Sequence, residues 1–284
     1  MSADSSQPLS NVSLEERARR IRVYGLRMAA VPGKTYIGQI LALADLLAVC
    51  YFHAVNNRPE DPEWEGRDRF FLSHGHLAIA QYGALIEAGF LPEDEIDTYG
   101  KDDSRLPISS QPAYTPGIEI ASGTLGHGLG IAVGSALTMR RRGKTTFMYC
   151  MISDGEHNEG SIWEAALTAG HHKLRNLIGI VDNNNMQNDG PSSEVMNLEP
   201  IHDKWTAFGW QVWRVDGNDI PAMCKAFDEA RNSDVDKPRM VICDTQMGKG
   251  VSFIENRERQ SHFTGWTPEE FARAFEELDQ GGQL

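Results

Sequence analysis

Two short polar segments contain the side chains best suited to binding a charged ligand. The first, "SDGEHNEG" (residues 153–160), follows the apolar run "TTFMYCMI", and the second, "DNNNMQNDG" (residues 182–190), follows the apolar run "NLIGIV". Both apolar runs are typical of buried strands, and burial selects against a carboxylate without a compensating partner. Asp154, at the exit of the first run, therefore indicates a cap, a turn or a ligand site.

The elements that carry these segments alternate between helix and strand. Apolar residues at spacings of three and four predict helices, and short apolar runs between them predict strands. Such alternation predicts an α/β fold in which a parallel sheet is covered by helices on both faces. We predict a poorly ordered tail over residues 1–13 and a single domain over residues 14–284, which opens with a helical N-terminal segment. The predicted strands lie in "RDRFFLSHGH", "TTFMYCMI", "NLIGIVD", "WQVWRVDG" and "RMVICDT".

This fold would bring the two polar segments together. In an open parallel sheet, ligands bind beyond the carboxyl ends of the strands, so Asp154 and Asn184 are expected to meet in one crevice. A carboxylate and an amide oxygen are hard ligands that suit Mg²⁺ or Ca²⁺. Such a cation could bridge to a diphosphate at the N-terminus of the helix predicted to begin near Asn158. The alternative is that "SDGE" is a helix cap with a turn and "DNNN" a polar loop.

Composition and charge argue against several function classes. The 284 residues carry a formal net charge of −13, which disfavours a nucleic-acid partner because phosphate backbones require a basic face. The N-terminus lacks the basic and apolar regions of a signal peptide. The apolar stretch "IGQILALADLLAVCYF" is predicted to be too short to span a membrane, and it contains Asp45. We expect a soluble cytoplasmic protein whose four separated cysteines are free thiols rather than disulfides or zinc ligands.

Several motifs, in the same order along the chain, resemble those of one enzyme family. Asp154 with Gly155, followed 30 positions after Asp154 by Asn184, resembles the thiamine diphosphate signature, with Ser153 in place of its first glycine. "RDRFFLSHGH", "YTPGIEIASGTLGHGLGIAVGSAL" and "GKGVSFIENRERQSHFTG" resemble transketolase segments. Together the matches cover about residues 14 to 266. The chain is thus similar to the N-terminal, diphosphate-binding half of a transketolase.

The resemblance implies a cofactor site at the two polar segments. Asp154 and Asn184 would hold magnesium through their side chains, and the main-chain carbonyl of Met186 would be a third protein ligand. Gly155 would let the backbone approach the diphosphate of thiamine diphosphate. The cation, Mg²⁺ or another divalent ion such as Ca²⁺, would bridge protein and diphosphate.

Other matching residues would surround the reacting end of the cofactor. Gly123 and Leu125 fall in the stretch that contacts the aminopyrimidine in transketolases. His76 matches a histidine that reaches the diphosphate and the substrate, and His262 matches a second active-site histidine. We expect both histidines to act in proton transfer and in recognition of substrate hydroxyls. Glu159 matches a glutamate that is buried where two thiamine domains meet.

Two departures from the family pattern fall in the substrate pocket. Tyr36, in "YIGQ", occupies the position of a family histidine, and Ser109, in "PISSQP", occupies the position of another. Both hydroxyls could still bind a polyol, but neither can carry a positive charge. Loss of these histidines beside an intact metal motif indicates that the cofactor chemistry is kept while the sugar phosphate is changed, for example to a branched one.

The resemblance also implies a reaction and a partner. The predicted reaction is the reversible transfer of a two-carbon ketol unit between sugar phosphates, for which the cofactor supplies the chemistry. Motifs of the pyrimidine-binding domain are not found in this sequence, so a second transketolase subunit is expected to supply that domain in an α2β2 assembly. The alternatives are half of another thiamine enzyme, of the deoxyxylulose-phosphate synthase or 2-oxo acid dehydrogenase type, and a non-catalytic module that keeps the cofactor fold.

Overall fold

A five-stranded parallel sheet forms the centre of the computed structural model, which describes residues 12–31, 35–255 and 262–280. The strands in chain order are β1 (Arg69–Leu72), β2 (Met148–Ser153), β3 (Leu177–Asn183), β4 (Met186–Gln187), β5 (Gly190–Pro191), β6 (Gln211–Asp216) and β7 (Arg239–Asp244). The sheet has the order β1, β2, β3, β7, β6, and its neighbouring strands are all parallel. Strands β4 and β5 form a separate antiparallel pair.

Helices pack against both faces of this sheet. The α-helices of the described residues are α1 (Leu14–Ala29), α2 (Ile37–Val49), α3 (Ala78–Ala88), α4 (Gly128–Arg141), α5 (Gly160–His171), α6 (Ser192–Val195), α7 (Ile201–Ala207), α8 (Ile220–Asn232) and α9 (Pro268–Gln280). Successive strand residues point to opposite faces. Tyr149 and Met151 pack into a core with α1, α2, α3 and α8, whereas Met148 and Cys150 pack into a core with α4, α5 and α7. The predicted α/β fold, with helices on both faces of a parallel sheet, is confirmed.

The predicted N-terminal helical segment begins at α1. The Ser13 hydroxyl accepts a hydrogen bond from the Glu16 N–H and thereby caps this helix. Residues 1–11 of the predicted tail lie outside the described residues, as do residues 281–284 at the end of the predicted domain. The division into tail and domain therefore stays a prediction.

The second helix is longer than α2 alone, because a π-helical turn (Cys50–Ala54) continues it. By length and composition, the combined segment Ile37–Ala54 could cross a membrane, so the expectation that it is too short is wrong. However, 89% of the segment is buried inside the protein, as in a core helix. The buried Asp45 on this helix accepts hydrogen bonds from Arg22 Nη2 at 2.6 Å and from Asn218 Nδ2 at 2.8 Å, which compensate its charge.

The carboxyl ends of β2 and β3 lie side by side and carry the two polar segments. Ser153 pairs with Asp182 in the sheet, and the Asp154 N–H donates to the Asp182 carbonyl at 3.0 Å. A single 3-10 turn (Gly155–Asn158) follows, and the Asp154 side chain caps it. Helix α5 therefore begins at Gly160, two residues later than predicted. Asp154 is thus a cap, and its surroundings decide whether it can also bind a ligand.

Candidate cofactor-binding site

Asp154 and Asn184 occupy neighbouring buried positions at this edge of the sheet. Asp154 is 1% exposed; its Oδ1 accepts the Gly155 N–H and its Oδ2 accepts the Ser192 hydroxyl, both at 2.8 Å. Asn184 is 7% exposed, and its Oδ1 accepts the Met186 N–H at 3.0 Å. These donors are neutral, so the contacts hold the Asp154 carboxylate in place without balancing its charge.

Asp182, a residue without a predicted role, connects the two strand ends. It is fully buried; its Oδ2 accepts a hydrogen bond from Asn184 Nδ2 at 3.0 Å, and its Oδ1 accepts one from the Thr245 hydroxyl. Burial raises the pKa of Asp182. Burial, and then the charge of Asp182, raises the pKa of Asp154 to about 7. Asp182 lies near the end of β3, directly before Asn183 and Asn184. This position is the feature that could have revealed Asp182 in the sequence.

The chemistry of these side chains fits a divalent cation. Two neighbouring buried carboxyl groups favour a bound cation, since it would allow both to ionise. Within the described ranges, no three His, Cys, Asp or Glu side chains form a metal-binding group. The predicted site instead combines the Asp154 carboxylate, the Asn184 amide oxygen and the carbonyl of Met186, and these are the donor types that Mg²⁺ or Ca²⁺ prefers. Met186 lies in β4 and pairs with Pro191 of β5, which fixes its main chain.

Tyr36, His76 and His262 meet in one cluster, although they lie far apart in the sequence. The ring centroid of Tyr36 is 4.4 Å from that of His76 and 5.5 Å from that of His262. A backbone bridge between Thr35 and Thr264 joins the segment of Tyr36 to the segment of His262. The N–H of each threonine donates to the carbonyl oxygen of the other, and both N to O distances are 3.0 Å. The structure therefore brings both predicted catalytic histidines together with one predicted substrate residue.

The environment of the two histidines favours their neutral forms. Burial, with smaller contributions from His74 and His262, lowers the pKa of His76 to about 3. Burial also lowers the pKa of His262. His76 Nε2 and His262 Nδ1 are buried and have no hydrogen-bond partner among the described residues. The hydrogen-bonding capacity of these nitrogens is therefore unused within the described residues.

The loop that contains Gly123 and Leu125 lies against the loop of His76. Gly123 has a φ of 139°, which favours glycine. A Cβ atom at Gly75 would lie 2.3 Å from the Gly123 nitrogen, so the two backbones touch. A Cβ atom at Gly123 would lie 3.8 Å from Ser109 Oγ, which places the exposed Ser109 beside the same loop. Predicted cofactor and substrate residues are thus neighbours here.

Glu159 is exposed just before α5 and borders the same loop. A Cβ atom at Gly126 would lie 2.6 Å from Glu159 Cβ, and the adjacent Leu125 is 36% exposed. Glu159 and Leu125 thus form part of one open surface. The burial of Glu159 at a subunit interface concerns a partner chain and stays a prediction.

Glu156 and His74 form a buried pair to which the sequence assigned no role. Both side chains are fully buried, and His74 Nδ1 lies 3.5 Å from Glu156 Oε2. Although burial opposes ionisation, His74 and hydrogen bonds from Ser73 and Gly126 hold the pKa of Glu156 below its ordinary value. Both residues lie inside segments that the sequence analysis singled out, His74 in "RDRFFLSHGH" and Glu156 in "SDGEHNEG", and this position is a feature that could have revealed the pair.

His157, another residue without a predicted role, anchors the turn after β2. Its Nδ1 lies 3.0 Å from the carbonyl oxygens of Ser153 and Asp154. Its Nε2 accepts a hydrogen bond from Trp205 Nε1 in α7 at 3.1 Å. Burial lowers the pKa of His157 to about 4, so the ring is neutral and links the turn to the helix layer.

The fold and the position of its polar residues define an α/β domain with a candidate ligand site at the carboxyl edge of a parallel sheet. The family model described as "Transketolase, thiamine diphosphate binding domain" matches residues 15–278. The chain therefore belongs to the transketolase family, which confirms the resemblance carried by its motifs.

Relatives of two different lengths are similar to this chain. A transketolase family protein of Sinorhizobium fredii is 60% identical over 95% of this chain and 97% of its own length. An apulose-4-phosphate transketolase subunit of Actinobacillus succinogenes is 40% identical over 89% of this chain and 92% of its own length. A 6-deoxy-6-sulfo-D-fructose transketolase subunit of a Clostridium species is 37% identical over 95% of this chain and 98% of its own length. The solved transketolase of Leishmania mexicana matches 94% of this chain, but only 41% of its own, with a TM-score of 0.87 and 31% identity.

The low pKa of His76 predicts a loss of stability in acid. Its pKa falls from 6.5 to about 3 on folding, so between these values the unfolded chain binds more protons, and stability falls as the pH drops below 6.5. At pH 5 the lowered pKa of His76 should reduce the free energy of unfolding by about 2 kcal/mol. Urea unfolding at pH 7 and pH 5 should show that His76→Asn loses about 2 kcal/mol less stability than the wild type over this interval. Equal losses would mean that His76 titrates normally.

Proposed function

We propose that the protein is the diphosphate-binding subunit of a two-chain, thiamine diphosphate-dependent transketolase that transfers two-carbon ketol units between sugar phosphates. The observation that carries this proposal is the buried Asp154–Asn184 site in a chain of the transketolase family. A non-catalytic module would gain nothing from a buried carboxyl group whose pKa is raised, whereas a cation and a diphosphate would compensate it.

The proposed cofactor site uses residues from three loops. Thiamine diphosphate, when bound, supplies the nucleophilic carbon that takes up and releases the ketol unit. Asp154, Asn184 and the Met186 carbonyl would hold the divalent cation against the diphosphate. Gly123 and Leu125, on the loop beside His76, would contact the aminopyrimidine. This arrangement gives the cofactor a polar end at the sheet and an open end at the surface.

His76 and His262 are the proposed groups for proton transfer. Because burial keeps both rings neutral, each can accept a proton or a hydrogen bond at its unpartnered buried nitrogen. Tyr36 packs against both rings and would hold them relative to a sugar hydroxyl. The cluster would therefore stand at the reacting end of the substrate.

The pocket is proposed to take a sugar phosphate other than the ordinary pentose phosphates. Tyr36 and Ser109 place hydroxyl groups where the family has histidines, so this part of the pocket can hydrogen-bond a sugar without becoming charged. Two relatives have names that specify apulose 4-phosphate and 6-deoxy-6-sulfo-D-fructose, which supports a changed sugar.

A second subunit is proposed to complete the active site in a cytoplasmic α2β2 assembly. Two relatives of nearly the same length are named as subunits of transketolases. The exposed Leu125 and Glu159 would face the partner's pyrimidine-binding domain. Closed symmetric assemblies are the usual outcome when an active site needs surfaces from two kinds of chain.

Removal of the Asp154 carboxylate should abolish magnesium-dependent binding of thiamine diphosphate. Loss of a residue that hydrogen-bonds to a metal ligand lowers metal affinity by about 10- to 100-fold, so loss of the ligand itself should lower it by at least about 100-fold. Calorimetry on the assembled protein, with and without Mg²⁺, measures this for Asp154→Ala. Asp189→Ala, which removes an exposed carboxylate between β4 and β5, should bind like the wild type. Unchanged affinity in Asp154→Ala, or after chelation of the metal, would contradict the proposed site.

Ordinary pentose phosphates should be poor substrates, because unmatched buried polar groups reduce turnover by orders of magnitude. We expect kcat/KM for xylulose 5-phosphate with ribose 5-phosphate to be at least about 100-fold below that of the best donor in a panel that includes apulose 4-phosphate. Tyr36→Phe should lower kcat/KM for that donor by about tenfold, since one hydrogen bond is lost. Efficient turnover of the pentose pair would refute a changed pocket.

The chain without a partner should show no ketol transfer and at best weak cofactor binding, because its open surface leaves the cofactor's reactive end in water. Mixing with a subunit that carries the pyrimidine-binding domain should restore both, with an interface of about 2,000 Å² or more. Steady-state assays and light scattering of the separate and mixed chains measure activity and stoichiometry. Robust turnover by the purified chain alone would show that no partner is needed.

A further inference from the structure

Three loops converge at the carboxyl edge of the sheet, and each carries predicted cofactor residues. Residues 73–76 follow β1 and contain His76. Residues 122–128 lead into α4, which begins at Gly128, and contain Gly123 and Leu125. Residues 153–156 comprise the last residue of β2 and the turn after it, and they contain Asp154. The relative position of these loops therefore decides whether the parts of the site fit one ligand.

The Glu156 carboxylate is hydrogen-bonded to all three loops. Its Oε1 accepts the Ser73 hydroxyl at 2.5 Å and the Gly126 N–H at 2.8 Å. Its Oε2 accepts the Ser153 N–H at 2.9 Å. The Ser73 hydroxyl in turn accepts the Gly128 N–H at 3.1 Å, which extends the network to the start of α4. One fully buried side chain thus satisfies donors from three separate parts of the chain.

The loops also touch through their backbones, which makes their spacing sensitive to this network. A Cβ atom at Gly75 would lie 2.3 Å from the Gly123 nitrogen. A Cβ atom at Gly128 would lie 2.5 Å from Ser73 Cβ. Since neither contact leaves room for an extra methyl group, neither loop can move closer to the other.

His74 lies beside Glu156 inside the protein. Its Nδ1 lies 3.5 Å from Glu156 Oε2, and both side chains are fully buried. Neither ring nitrogen of His74 has a hydrogen-bond partner among the residues that the structure describes. Glu156 Oε2 is therefore an acidic oxygen that His74 Nδ1 faces at ion-pair distance.

We propose that Glu156 is a positioning residue that fixes the three loops in their cofactor-binding arrangement before any cofactor binds. It acts through Ser73, Gly126 and Ser153 rather than by touching the ligand. Loops that are already ordered avoid the free-energy cost of ordering at the moment of binding. The identity of the ligand rests on the proposed function, whereas the order of the loops is a property of the chain alone.

The test compares Glu156→Gln with Glu87→Gln as a matched control. An amide in place of the Glu156 carboxylate conserves volume but leaves Gly126 N–H or Ser153 N–H without an acceptor. Glu87 is also buried and accepts a hydrogen bond from Arg17 Nη1 at 3.3 Å in the contact between α1 and α3, outside the three loops. Both variants remove one buried carboxylate, so they separate loss of stability from loss of positioning.

Hydrogen–deuterium exchange of the full chain without cofactor is the first measurement. Glu156→Gln should speed exchange in residues 73–77 and 122–128 by at least about tenfold, while Glu87→Gln should leave these loops unchanged. Ser73→Ala, which removes a single arm of the network, should speed exchange in the same loops by a smaller factor. If Glu156→Gln does not fold, Ser73→Ala decides the question: faster exchange in these loops than in Glu87→Gln supports the proposal, and equal exchange overturns it.

Calorimetric affinity for thiamine diphosphate with Mg²⁺ is the second measurement, made on the assembled protein. Glu156→Gln should bind at least about tenfold more weakly than the wild type, and Glu87→Gln should bind equally well. The proposal would be overturned if the exchange rates of the loops and the cofactor affinity of Glu156→Gln both lay within twofold of the values for Glu87→Gln. A wild-type protein that does not bind the cofactor would refute the proposed function, and the exchange experiment would still decide whether Glu156 orders the loops.

Discussion

Buried acidic groups at the carboxyl edge of the sheet are the constraint on which the rest of the structure depends. Asp154, Asp182 and Glu156 are all buried there, and buried carboxylates are costly unless they are paired or hydrogen-bonded. Glu156 has His74 and three hydrogen-bond donors. Asp154 and Asp182 accept only from neutral donors, and their pKa values are raised. A divalent cation at this edge would remove that difference, because its charge would compensate both carboxylates.

The two helical layers hold this edge in place. Alternate residues of each strand enter different cores, so the sheet is fixed from both sides and its strand ends keep their spacing. Polar contacts assist where the apolar cores contain a charge, as with Asp45, which binds Arg22 and Asn218 within the helical layer. The loops beyond the strands can then carry function while the sheet carries stability.

The predicted cation ligands and the cluster of Tyr36, His76 and His262 arise from different parts of this framework. Asp154 and Asn184 follow β2 and β3 directly, where the parallel sheet dictates their position. In the cluster, His76 follows β1, whereas the Thr35–Thr264 bridge brings Tyr36 and His262 together. A family member could therefore change its sugar through such segments without disturbing the sheet edge, which is consistent with relatives named for different sugars.

The sequence by itself determined the fold class, the order of strands and helices, and the family, because periodicity and strand-end motifs are local properties of the chain. It also identified Asp154 and Asn184, since each directly follows its strand. Tertiary structure alone decided that Asp182 is fully buried with Asn184 and Thr245 as its side-chain partners, and that Glu156 joins Ser73, 83 positions away, to Gly126, 30 positions away. Burial and partners of a polar side chain depend on distant segments, and no local pattern encodes which segments will meet.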